Sequence, residues 1–184
     1  MTRAAIQEPS AKSGETAAAL TDTIRRVVTG VTVVTCGNAA DVEGVTVSTL
    51  TTIPGDPPMV CVALRRNSRG LKALVAASTF VANSLAADHE PLARHFARRY
   101  RAKGLDQLPS DAWAGCSPSG VPQLRDAVSW LECRLVQTVT VGDHELVVAR
   151  VLSATSGTAD PLVNFAGALH AGPSCVQHTE RKHQ

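Results

Sequence analysis

"GVTVSTLTTIPGDPPMVCVAL", residues 44–64, decides the fold. Two apolar, β-branched runs flank a turn built from residues that break regular backbone: Pro54, Gly55, Asp56, Pro57 and Pro58. The second run, "MVCVAL" (59–64), reads as a buried strand. The first, "VTVSTLT" (45–51), is a strand studded with hydroxyls, at Thr46, Ser48, Thr49 and Thr51, with Thr52 just beyond. Threonine is a good strand former, so the hydroxyls fit a strand with one solvated face. They also fit, with less weight from spacing alone, a strand end that offers small donors and backbone amides to a flat, polar or phosphorylated ligand. Spacing alone leaves both readings open.

Upstream, "VTVVTC" (31–36) and the turn "GNAADVEG" supply the hairpin partner of the first run. An opening helix, Glu15 to Val28, carries Leu20, Ile24, Val27 and Val28 on one side. Downstream, "SRGLKALVAAS" is a short helix by its apolar spacing at Leu71, Leu74 and Val75, and "FVANSL" (80–85) is a strand. "ADHEPLARHFARRYRAKG" reads as the clearest helix, with Asp88 as N-cap, Pro91 in the first turn, and Leu92, Phe96 and Tyr100 along one face. A loop rich in Gly, Ser and Pro (114–122) precedes strand runs at 127–141, 144–157 and 162–165. Gly142–Asp143 centres a tight hairpin turn between the first two. This order predicts a mainly β fold with flanking helices: a small antiparallel barrel of six or seven strands, and no doubly wound parallel sheet.

A chain of 184 residues suits one domain, and 44% hydrophobic with 18% charged residues is ordinary for a globular protein. The domain spans 15–170, with 1–14 and 171–184 read as flexible ends. A formal charge of +2 and only 3% aromatics argue against nucleic acid or an anionic membrane as partner. Residues 1–14 lack the apolar core of a signal peptide, and no apolar run reaches membrane-spanning length. Five dispersed cysteines (Cys36, Cys61, Cys116, Cys133 and Cys175) without a C-x-x-C pair fit neither a disulfide framework nor a zinc site. A cytoplasmic protein without a metal is expected.

The usual catalytic signatures are missing: no G-x-G-x-x-G after a strand, no G-x-x-x-x-G-K-[ST], no H-E-x-x-H and no G-x-S-x-G. Arg65, Arg66 and Arg69, beside Asn67 and Ser68, follow a strand and open a helix, an arrangement that suits a phosphate or a plainly solvated loop. Arg98, Arg99, Arg101 and Lys103 are expected to end a helix, where cations complement the macrodipole. His144 occupies a turn, an exposed place for a histidine; His89 and His95 lie six apart and cannot share a metal on one helix face.

Taken in series, "TGVTVVT", "GVTVSTLTTIPGDPPMVCVAL", "NSRGLKAL", "FVANSLAADHEPLARHFA", "VPQLRDAVSWLECRL", "GDHELVVARVL" and "PLVNFAG" resemble the short-chain flavin reductases, the reductase components of two-component flavin-dependent monooxygenases. The resemblance covers Thr29 to Gly167. It implies an FMN-binding split barrel, a homodimer, that uses NADH or NADPH to reduce FMN or FAD and passes the reduced flavin to a partner monooxygenase. By similarity, Thr46, Val47, Ser48 and Thr49 would line the isoalloxazine. Ser48, Thr51 and Thr52 would lie toward the ribityl phosphate, with Asn67, Ser68 and Arg69 at the phosphate. Ala82, Asn83 and Ser84 match the strand that flanks the flavin. His144 matches the turn histidine on the nicotinamide side, and would be the catalytic contributor. The closing block departs from the family pattern, because Asn164 and Leu169 replace aromatic positions in "PLVNFAGALH". An alternative expectation is therefore a flavin-binding protein with altered or lost reductase activity, serving a biosynthetic partner or holding its flavin fixed.

Overall fold

Turn chemistry sets the strand order. The structure, a computed structural model, describes residues 14–174, so the ends expected to be flexible lie, over 1–13 and 175–184, outside the described residues. A first helix α1 (Gly14–Arg25) and a short strand β1 (Thr29–Gly30) lead into β2 (Thr32–Cys36) and β3 (Glu43–Val47). The last two form the predicted hairpin, Thr32 opposite Val47 and Cys36 opposite Glu43. After the Pro/Gly turn, β4 (Thr51–Ile53) pairs with β5 (Met59–Arg65). Helix α2 (Arg69–Ala77), strand β6 (Thr79–Ser84) and helix α3 (Glu90–Ala97) follow. A small hairpin, β7 (Trp113–Cys116) and β8 (Pro122–Leu124), occupies the stretch expected as a loop. Then come the long hairpin β9 (Ser129–Val141) and β10 (His144–Ser156), and the short β11 (Leu162–Phe165) and β12 (Ala168–Ala171). Gly142 adopts φ 57°, the left-handed conformation that lets β9 and β10 reverse in two residues.

The main sheet has seven antiparallel strands in the order β3-β2-β6-β9-β10-β5-β4. Its two edges, β3 and β4, are consecutive in the chain, joined only by Ser48, Thr49 and Leu50. The sheet thus curls until its edges meet without pairing, a barrel left split. Thr49 pins the gap: its hydroxyl donates to the carbonyl of Ala63 on β5 and accepts from the Ala63 amide, both at 3.1 Å.

Every residue of β2 is buried, because both faces of the sheet are covered here. Val34 and Cys36 join Val60, Val62, Leu74, Phe80 and Val147 inside the barrel. Val33 instead faces Leu85, Phe96, Leu124 and Leu162 beneath α3. Truncating Phe80 or Phe96, each fully buried, would cost about 3–5 kcal/mol. On β9, the buried carboxylate of Glu132 accepts from the Ser117 hydroxyl (2.5 Å), the Ser119 amide (2.9 Å) and the Ser153 hydroxyl (3.2 Å), fixing the turn after β7.

Further expectations change. The run 45–51, expected as one strand, breaks at Ser48, Thr49 and Leu50, where the chain crosses from β3 to β4. The opening helix stops at Arg25, and Leu20, Ile24, Val27 and Val28 are 57–68% exposed among the described residues. The helix after Asp88 is shorter at both ends. Residues 87–89 form a 3-10 turn, and Arg98 is already extended at φ −67°, ψ 137°. Tyr100, 85% exposed, therefore leaves the face that buries Phe96. No helix among the described residues is long and apolar enough to cross a membrane.

Candidate functional site

The hydroxyls of the β3–β4 stretch divide into two sets. Thr46 donates to the Ala93 carbonyl of α3 at 2.7 Å, and Thr49 bonds Ala63, so both hydroxyls are committed to the fold. Val47 is a core residue. The hydroxyls of Ser48, Thr51 and Thr52 make no hydrogen bond among the described residues, and the two threonines sit exposed on an edge strand. The backbone of β3 is an edge as well, so its outward N–H and C=O groups are not used by the sheet.

Beside this edge, the turn after β5 delivers the start of α2. Asn67 takes a left-handed φ of 61°, and Ser68 caps the helix by accepting from the Leu71 amide at 3.2 Å. Gly70 packs so tightly on β3 that a Cβ there would stand 2.9 Å from the Val45 side chain. The helix N-terminus, with its free amides and positive dipole end, is thereby brought to the strand edge. Across from it, residues 97–101 form a second wall, and the groove between them encloses about 780 Å³. Arg65, Arg66, Arg69, Lys72, Arg98, Arg99 and Arg101 line it, with no acidic residue among its lining.

The run Arg98–Arg101 was expected to complement a helix macrodipole, and it does not. Because α3 ends at Ala97, its last turn holds Arg94 and His95, while Arg98, Arg99 and Arg101 swing into the groove wall. Arg101 is anchored there by Glu43 on β3, whose side chain is only 2% exposed. Its carboxylate pairs with Arg69 Nε at 2.7 Å and with the Arg101 guanidinium. Arg101 also donates to the Gly44 carbonyl and, at 2.6 Å, to the Arg98 carbonyl, and lies 5.4 Å from the Phe96 ring centre. Arg69 donates to the Arg101 carbonyl at 2.8 Å. Burial pulls the Arg101 guanidinium below its ordinary value, and the charge and hydrogen bond of Glu43 oppose that pull. Glu43 and the far wall escaped the sequence reading. The available signal was an acid inside an apolar strand run, "DVEGVTV", which calls for a buried cation.

Ala82, Asn83 and Ser84 sit on β6, in the middle of the sheet. Ala82 belongs to the barrel core. Asn83 is fully buried, donating to the Val33 carbonyl (2.9 Å) and accepting from the Leu124 amide (2.9 Å). Ser84 accepts from Ser129 at 2.9 Å. The structure does not bring the side chains of Ala82 and Asn83 to the groove. His144, by contrast, lies opposite Arg65 in the β10–β5 register. Its Nδ1 stands 2.7 Å from the Asp143 carboxylate, and the Arg66 amide donates to the Asp143 carbonyl at 2.9 Å. The hydrogen bond from His144, aided by its charge, holds the Asp143 carboxyl below the ordinary range. Asp143 also lines a cleft of about 360 Å³ with Arg65, Arg66 and Asn67. The β9–β10 turn and the α2 turn are therefore neighbours, although 75 positions apart by number in the chain from Ser68 to Asp143.

Comparison with known proteins bears on this groove. The family model described as "Flavin reductase like domain" matches residues 24–173. The NADH-dependent FAD reductase of Streptomyces globisporus is 34% identical over 139 residues, 76% of each chain. The reductase component of a 4-nitrophenol 4-monooxygenase/4-nitrocatechol 2-monooxygenase of Rhodococcus opacus is 33% identical over 138 residues, 75% of this chain and 71% of that one. Among solved structures, the flavin reductase component of a bacterial two-component tryptophan halogenase superposes with a TM-score of 0.80 at 30% identity, covering 86% of this chain and 99% of the other.

Proposed function

Because the chain belongs to the flavin reductase-like domain family, we propose that it is an NAD(P)H:flavin oxidoreductase that supplies reduced FMN or FAD to a partner flavin-dependent monooxygenase. The observation that carries this reading is the juxtaposition of the β3 edge, where Gly70 meets Val45, with a basic groove at a helix N-terminus. The hydroxyls of Ser48, Thr51 and Thr52, which the fold does not use, lie further along the same stretch, outside the groove's lining. A flavin needs both: donors for its polar ring edge and a cradle for its phosphate. The residues present fit that demand, since no acid lines the groove and Gly70 lets the helix start approach the strand.

In this reading Ser48, Thr51 and Thr52 bond the flavin, Val47 and the backbone of Thr46 and Thr49 form the surface behind its ring, and Asn67, Ser68 and Arg69 hold its phosphate. Ala82 and Asn83 act beneath the site, setting the strand that Ser84 ends. A bound flavin supplies the hydride acceptor, which works when the nicotinamide ring stacks on it. No side chain has to move a proton in that transfer, which suits a groove built from guanidinium groups and hydroxyls. His144, held by Asp143 beside the small cleft that shares Arg65, Arg66 and Asn67 with the groove, positions the nicotinamide nucleotide through its carboxamide or phosphate.

The same proposal makes the chain a cytoplasmic homodimer. The apolar side chains of Leu20, Ile24, Val27 and Val28 stand in solvent in the single chain, and a second copy would cover them. Four unpaired cysteines among the described residues suit a reducing compartment. Light scattering should return twice 19.3 kDa, and Ile24→Asp should shift the protein toward monomer; a wild-type monomer refutes the dimer.

A second reading has one observation behind it. Asn164 and Leu169, which replace aromatic residues of the family pattern, face each other as direct partners on β11 and β12. A chain that binds flavin without turning it over would fit that change. One assay separates the readings: NADH or NADPH oxidation followed by absorbance with excess free FMN or FAD. Many turnovers per protein establish the reductase. Flavin binding with a flat trace favours the second reading, and no flavin binding refutes both.

A further inference from the structure

The basic groove reaches beyond what a single phosphate monoester requires. Its near wall, Asn67–Arg69, is the proposed flavin phosphate site, and the inference below rests on that reading. Its far wall carries Arg98, Arg99, Tyr100 and Arg101, to which the flavin contacts above give no role. Lys72, Arg98 and Arg99 have no acidic partner among the described residues. Arg101, whose side chain is 7% exposed, keeps a buried Nε with no hydrogen-bond partner. Tyr100, the only tyrosine of the chain, leaves its ring 85% exposed, with the Arg99 guanidinium 5.8 Å from its centre.

Unpaired guanidinium groups beside a bare aromatic ring recognise a phosphate-linked base: the base stacks on ring and guanidinium, and the cations take the phosphate oxygens. We propose that the far wall holds the adenosine diphosphate half of FAD, so that FAD rather than FMN is the preferred flavin of this chain. NAD(P)H carries the same moiety. The flavin is the better occupant because near and far walls bound one continuous cavity, so a ligand anchored at the α2 turn runs directly onto Tyr100.

Calorimetric titration of FAD, FMN and ADP, without NAD(P)H, tests this on wild type, Tyr100→Ala and the double variant Arg98→Ala/Arg99→Ala. All three side chains are exposed, and thermal melts confirm that the variants fold. Wild type should bind FAD about tenfold more tightly than FMN, the scale of one stacked base. Each variant should lose most of that preference and keep its FMN affinity within about twofold. ADP should bind wild type and compete with FAD. Equal wild-type affinities for FAD and FMN overturn the proposal, as does equal weakening of both flavins in the variants. ADP binding with no FAD preference assigns the wall to the nicotinamide nucleotide, again against it. If neither flavin binds, the flavin reading itself falls and the FAD preference with it.

Discussion

Replacing Glu43 with Gln should separate the basic groove from its foundation. The carboxylate is 2% exposed and is the shared counter-ion of Arg69 and Arg101. Neutralising it leaves Arg101, 7% exposed, as a buried charge without a counter-ion, a change that costs about 3–5 kcal/mol. Arg69 is 34% exposed and can rehydrate, so its share is discounted to a small addition. Taking about 3–5 kcal/mol in total, at roughly 2–4 °C per kcal/mol for a domain of this size, the melting temperature should fall by about 6–20 °C. Circular dichroism melts read this directly. The double variant Glu43→Leu/Arg101→Met removes both buried charges at once and should recover most of the loss, because a buried ion pair contributes little net stability over apolar packing. A Glu43→Gln protein melting within about 2 °C of wild type would refute the reasoning, as would a double variant whose loss is the sum of the two singles.

His144→Ala should raise the KM for NAD(P)H and lower kcat modestly, about tenfold to a hundredfold in kcat/KM, with flavin affinity unchanged; unaltered steady-state kinetics would reduce His144 to a solvated turn residue. Glu132 supplies a pH test. Burial raises its carboxyl, but the hydrogen bonds from Ser117, Ser119 and Ser153 outweigh this and hold it below the ordinary value of 4.5. A folded value below the unfolded one means stability that is present above about pH 4.5 and is lost as pH falls through the folded value. Ser117→Ala should therefore cost about 1.5–3 kcal/mol near neutral pH and progressively less in acid, measured by urea unfolding across the range; a pH-independent loss would contradict it.

Local signals made much of the barrel legible. The β2–β3 hairpin, the β4–β5 reversal and the β9–β10 turn each combine β-branched runs with Gly, Pro or Asp at the break, and each sits where those residues put it. Strands β1, β7, β8 and β12 have two to four residues each, too few to show alternation, and were not legible. The α3 end misled for a different reason. Arg, Tyr and Lys after Ala97 are compatible with helix locally, but Arg101 finds its counter-ion 58 positions away on β3, and that tertiary pairing ends the helix early. Glu43 was invisible as a site residue for the same cause, since its two partners lie 26 and 58 positions distant.

The hydroxyl-rich stretch between β3 and β4 has two functions because it lies at the split. In a closed barrel, β3 and β4 would pair and every hydroxyl between them would serve the ladder or the solvent. Here three residues carry the chain from one edge to the other, and Thr49 alone fastens the seam to β5. Thr46 ties the same edge to α3. Those three bonds hold the edges apart at fixed positions, and so leave the hydroxyls of Ser48, Thr51 and Thr52 available, while Arg101 takes the Gly44 carbonyl of the β3 edge. Placing the α2 N-terminus against that edge then requires Gly70, and holding the opposite wall requires Glu43. The site is therefore assembled from backbone edges, caps and a buried counter-ion. Its one His–carboxylate pair, His144 with Asp143, serves positioning in this reading, because the proposed hydride transfer asks for no proton donor.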